Sequence, residues 1–149
     1  MVSRRLRLVV VIAVCASLVL AFGVAASADA GGRPFTTTLS GANEAPGPGD
    51  PDATGTARLW INPGTGTVCW SITVDNAAPI TAAHIHIAAP GSPGPVVVPL
   101  NPYTGGCADV ASDLALQIIQ NPSAYYVNVH NADFPAGAAR AKKNSPPSS

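Results

Sequence analysis

The sequence predicts an all-β domain, an antiparallel β-sandwich or barrel with one short helix, and three observations carry this. Short apolar runs alternate with breaks rich in Pro, Gly, Asn and Asp, and 15 prolines and 14 glycines leave little room for long helices. The strongest run, residues 67–74, has a period of two. Only one stretch, residues 109–120, has helical spacing. Many short strands between turn signals are the signature of a sandwich or barrel.

The elements follow in order. Residues 35–40 form a Thr-rich first strand, and residues 42–54 a loop dense in Pro, Gly and Asp. Residues 55–61 form a second strand, and Asn62-Pro63-Gly64-Thr65-Gly66 has turn chemistry. In residues 67–74, Val68, Trp70, Ile72 and Val74 share one face, while Thr67, Cys69, Ser71 and Thr73 share the other. The first set points to the core, and the two strands with their turn read as a hairpin. Residues 81–88 put Ala83, Ile85 and Ile87 on an apolar face. Residues 89–95 are a Gly/Pro turn. Residues 96–100 are a strand that Pro99 marks as an edge or an end. Residues 101–106 read as loop. In the helix, Ser112 or Asp109 caps, Leu114 and Ile118 stack, and Pro122 prevents continuation. Residues 125–130 carry Tyr125, Val127 and Val129 inward, and residues 137–141 form the last strand.

The ends set the compartment. Arg4, Arg5 and Arg7 precede an apolar run from residue 8 to residue 24, and Ala26-Ser27-Ala28 is a small-x-small cleavage site. This is a secretory signal peptide over residues 1–28, with Asp29 as the new N-terminus. Arg7 stands where a twin-arginine signal wants an apolar residue, which favours the general secretory route. Residues 29–34 read as a flexible linker, residues 35–142 as the domain and residues 143–149 as a polar, disordered tail. The expected location is secreted or in the cell envelope, with membrane contact only through the leader before cleavage.

Without the leader, five basic residues face eight acidic ones, a formal charge of −3. Lys142-Lys143 is the only basic doublet, so nucleic acid is a poor partner. Cys15 lies within the leader, which leaves Cys69 and Cys107. An even count in an exported chain implies a disulfide.

The catalytic inventory is thin. Ser92 sits in a Pro/Gly turn without a nucleophile elbow. No close carboxylate pair falls on a strand. Asp50-Pro51-Asp52-Ala53-Thr54-Gly55 resembles a calcium loop, but Ile61 stands where the bidentate Glu is required. Asn121-Pro122-Ser123 is no glycosylation acceptor. His84 and His86 share one strand face, about 6.6 Å apart. His130, on the polar face of its own strand beside Tyr126 and Asn128, joins them if the two strands are neighbours. Three imidazoles suit zinc or copper. The bland alternative is three half-exposed, hydrogen-bonding histidines.

Several segments together resemble the CHRD domain, a module named from chordin and common in exported bacterial proteins. They are Leu39-Ser40-Gly41-Ala42-Asn43-Glu44, Thr54-Gly55-Thr56-Ala57, Cys69-Trp70-Ser71-Ile72, Ala83-His84-Ile85-His86, Gly94-Pro95-Val96-Val97, and Tyr126-Val127-Asn128-Val129-His130 with Phe134-Pro135 and Gly137. Their order and spacing are the signature. Ala45-Pro46-Gly47-Pro48 replaces the family's valine and paired prolines, and Arg140-Ala141-Lys142 stands for its arginine-glycine-polar ending. The resemblance implies a β-sandwich or barrel without an established activity. The expected function is a non-enzymatic binding or structural module, monomeric, that meets a protein or surface partner. The alternatives are metal binding through His84, His86 and His130, and a copper–zinc superoxide-dismutase-like enzyme, for which three histidines are too few.

Overall fold

The computed structural model describes residues 31–89 and 91–141. The leader, its cleavage site and the tail from residue 142 lie outside the described residues. Eight strands run β1 (Arg33–Ser40), β2 (Thr54–Asn62), β3 (Thr67–Asp75), β4 (Ile80–Ile87), β5 (Val96–Pro99), β6 (Gly105–Asp109), β7 (Tyr125–Asn131) and β8 (Ala139–Ala141). One helix, α1 (Ser112–Gln120), lies between β6 and β7.

All strand pairs are antiparallel, in the order β5-β4-β7-β8-β1-β2-β3-β6. The two edge strands, β5 and β6, are consecutive in the chain, so residues 100–104 span the gap between them. This link bonds to both sides. Leu100 N–H donates to the Ala83 carbonyl of β4 at 2.9 Å, and Ile72 N–H of β3 donates to the Thr104 carbonyl at 3.0 Å. The Trp70 indole N–H reaches the Pro102 carbonyl at 2.9 Å. The sheet is therefore a nearly closed barrel, which resolves the sandwich-or-barrel alternative.

The alternation read from the sequence explains the core. Val68, Trp70 and Ile72 of β3 are buried with Ala57, Leu59 and Ile61 of β2. A Trp ring buries about 150–250 Å², worth about 4–6 kcal/mol at most. Trp70 is therefore a principal anchor, and its indole N–H ties that anchor to the closing link. The β2–β3 turn is built by Asn62, whose Oδ1 accepts from the Gly64 and Thr65 N–H groups. Gly66 completes it at φ 65°.

Several expectations need correction. Arg33 and Pro34, read as linker, already pair with Ile61 and Trp60. Gly105 and Gly106, read as loop, open β6, where Cys107 lies directly opposite Cys69, and the two cysteines form a disulfide with an S–S distance of 2.07 Å. The helix begins at Ser112. Its N-cap is Ala111, without a side-chain cap, so neither Ser112 nor Asp109 plays that role. Asp109 is spent in the β6 ladder opposite Thr67. Ala115 and Ile118 bury the helix against β2 and β3, and Pro122 opens a short 3-10 turn that ends it. The last strand starts at Ala139, because Gly137 has φ 152°.

β7 departs most from the expected in-out pattern. Every residue but His130 is buried. Its outer face is covered by the segments around Glu44, Gly94 and Pro135, whose atoms bond to Asn128, Tyr126 and His130. Among the described residues, no helix is long and apolar enough to cross a membrane.

Candidate metal centre

The histidines come together because β4 and β7 are neighbours. His84 pairs with Asn128, His86 with Tyr126 and Ala82 with His130. Period-two pleating puts His84, His86, Tyr126, Asn128 and His130 on one outward face. A register shift between Ile85 and His86 in the β4–β5 pairing sits beside the second histidine. Such a bulge re-aims a side chain at a functional face. One nitrogen from each histidine falls within 4.8 Å of the other two.

The hydrogen bonds fix which nitrogens are free. His86 Nδ1 lies 2.8 Å from the Gly94 carbonyl, and His130 Nδ1 lies 3.0 Å from the Pro135 carbonyl. A carbonyl only accepts, so both Nδ1 atoms carry the proton, and in the neutral ring each Nε2 keeps its lone pair. His86 Nε2 is buried and has no protein partner. His84 Nδ1 lies 3.1 Å from His130 Nε2. Two nitrogens on one tetrahedral zinc, each bonded at 2.0–2.1 Å, stand about 3.3 Å apart. The observed spacing is thus already close to that of ligands, and His84 Nδ1 can serve as a ligand once its proton moves to Nε2 of the same ring. Carbonyls on the far ring nitrogens are the usual outer partners of metal-binding imidazoles.

The electrostatics favour the ligating form. Burial holds His84 below the usual imidazole range, and the neighbouring His130 and His86 add to this. Burial lowers His86 too; the Gly94 carbonyl opposes the shift, while His130 and Arg140 reinforce it. Neutral imidazoles are what a metal requires.

Three side chains near the site had no role assigned from sequence. The Glu44 carboxylate accepts from Asn128 Nδ2 at 2.9 and 3.1 Å, which places it next to the histidine face. Burial raises it to about 7, against the opposing influence of Arg140 and the Ala45 N–H. Glu44 also lines a cleft of about 200 Å³ with Pro46, Pro48, Asp133, Phe134 and Pro135. The cleft does not contain the histidines. It adjoins them through Pro135, whose carbonyl holds His130. Asp133, the acid nearest His130 in sequence, faces this cleft. Tyr126 stacks on His86, and Arg140 lies over Tyr126. Period two places Tyr126 and Asn128 beside His130, so their position was legible. The approach of Glu44 and Arg140 depends on loop course and on the β7–β8 pairing, which no local pattern encodes.

No curated protein and no solved structure matches the chain. The family model of the CHRD domain matches residues 35–142, well over half of the sequence and all of the barrel just described but the first two residues of β1. The segments that carry the resemblance fall in β1 to β5 and β7 and in the segments that cover β7, and the chain belongs to the CHRD domain family.

Proposed function

We propose that this CHRD domain is a non-enzymatic, exported module that binds a divalent transition metal through His84, His86 and His130. The carrying observation is the convergence of three imidazoles, with one nitrogen of each within 4.8 Å of the others and with the Nδ1 atoms of His86 and His130 held by carbonyls. Zinc or copper suits three nitrogens, with a fourth position left for water or a partner's donor. Binding fits better than turnover. The Glu44 carboxylate beside the histidine face is engaged by Asn128 Nδ2. A copper–zinc pair of the dismutase kind needs more imidazoles than the three in the chain.

Export rests on the three-part leader and on a disulfide suited to an oxidising compartment. Secreted protein should have an intact mass that starts at Asp29. Titration calorimetry with zinc and with copper on the untagged mature domain tests the site. Submillimolar binding that disappears in the His84→Ala/His86→Ala double variant is the expected result. Millimolar binding, or binding unchanged in that variant, would leave the histidines a partner-facing role.

A further inference from the structure

Around His86, three side chains close on a single turn. His86 Nδ1–H donates to the Gly94 carbonyl at 2.8 Å, and the Gly94 N–H donates to the Tyr126 hydroxyl at 3.1 Å. Arg140 Nη2 donates to the Ser92 carbonyl at 2.7 Å. The turn itself admits no larger residue at Gly94. A Cβ at Gly94 would lie 1.9 Å from the Ile87 carbonyl oxygen.

The same three side chains also stack. β7 lies between β4 and β8, so Tyr126 is flanked by His86 on one strand and Arg140 on the other. The His86 and Tyr126 rings are 4.9 Å apart and 6° from parallel. Arg140 Cζ is 3.4 Å from the Tyr126 ring centroid. Arg140 is only 2 % exposed, and its Nη1 has no protein partner. Burying a guanidinium this way is a poor route to stability, since a well-packed apolar side chain does as well or better. The stack therefore calls for another explanation.

We propose that Tyr126 and Arg140 are positioning residues for the metal centre, fixing the plane and tautomer of His86 through the stack and the Ser92–Gly94 turn. This rests on the metal-binding reading above. The torsion that turns an imidazole about its Cβ–Cγ bond is broad and roughly two-fold, so the ring alone does not choose which edge faces the site. The Gly94 carbonyl selects the edge and the Tyr126 ring selects the plane. Arg140 braces Tyr126 from its far face and pins the turn at Ser92. An imidazole fixed in advance loses less freedom when it takes up a metal.

Cobalt(II) is the probe, because its visible absorption reports ligand geometry as well as occupancy, and zinc competition supplies affinity. Tyr126→Leu removes the stacked ring. It should weaken cobalt and zinc binding by about 10- to 100-fold and shift the visible bands. Tyr126→Phe keeps the ring but loses the Gly94 contact, and should shift the bands less than Tyr126→Leu. Arg140→Lys, which keeps the charge but loses the planar contact, should shift the bands in the same sense as Tyr126→Leu. If Tyr126→Leu does not fold, the comparison of Tyr126→Phe with Arg140→Lys decides alone. Folded variants with wild-type affinity and an unshifted spectrum would overturn the positioning role and leave the three-histidine site standing. A wild-type domain that binds neither cobalt nor zinc would overturn the site and the positioning role together.

Discussion

At the scale of single residues, Glu44 is a half-buried carboxylate whose titration the fold displaces. Its folded value of about 7 lies above the ordinary value of 4.5, because burial penalises the charged form more than Arg140 and the Ala45 N–H favour it. The sign follows from linkage. Below pH 4.5 both folded and unfolded chains hold the proton, and the contribution to stability is fully present. As pH rises toward 7, the unfolded chain releases its proton first, and that contribution is lost. Glu44→Gln removes the titration. Urea unfolding at pH 4.5 and at pH 7 should show a smaller fall in stability for the variant than for the wild type. An equal fall in both would contradict the burial of this carboxylate. The histidine cluster was legible at this scale because His84, Ile85 and His86 obey a period of two. Glu44 was not, because Gly41, Gly49 and Gly137 set its approach. A Cβ at Gly137 would lie 2.5 Å from Glu44 Oε2, and one at Gly41 would lie 1.7 Å from the Asp50 carbonyl oxygen.

At the scale of elements, β6 is the strand that local chemistry hid. Gly105-Gly106-Cys107-Ala108-Asp109 holds no β-branched or aromatic residue, and β-propensity is low for Gly and Asp. The strand exists through its partner. It pairs with β3 from Thr67↔Asp109 to Ser71↔Gly105, and Gly106 lies against the Trp70 ring, 3.1 Å from where a Cβ would stand. The disulfide holds this pairing across a sequence separation of 38 residues. On the chain-entropy account, a loop of that length is worth about 4 kcal/mol. A Cys69→Ser/Cys107→Ser variant should lose about that much in urea unfolding while its zinc affinity stays unchanged, since the histidines are placed by the β4–β7 pairing and by the Gly94 and Pro135 carbonyls. A stability loss below about 1 kcal/mol, or a collapse of zinc binding, would contradict this. The helix was legible in its apolar spacing but not in its start, because the β6 ladder claims Asp109. Ile118 is 3 % exposed. Ile118→Ala should cost about 2–5 kcal/mol, read from the same unfolding curves, with a smaller loss meaning that the helix is only loosely docked.

At the scale of the whole molecule, a ligand that binds only the folded barrel stabilises it by mass action. Zinc at 100 times its dissociation constant should add about 2.7 kcal/mol. The melting temperature should rise with zinc in the wild type and stay level in the His84→Ala/His86→Ala variant, and a level response in both would count against a specific site. The barrel class was legible from strand spacing and turn chemistry alone. Strand order was not, since β1 pairs with β8 across nearly the whole domain, and no local pattern encodes a contact between the two ends. That pairing dictates a schedule. A polypeptide is made from its N-terminus, so β1 emerges first and its neighbour β8 emerges last. Until Leu39 and Ser40 meet Ala141 and Arg140, both β1 and β7 present bare backbone donors and acceptors to whatever lies nearby. A nascent or prematurely stopped chain that ends before residue 139 is thus two open-sided ribbons rather than a smaller barrel, and the domain becomes safe from mispairing only when its final strand arrives.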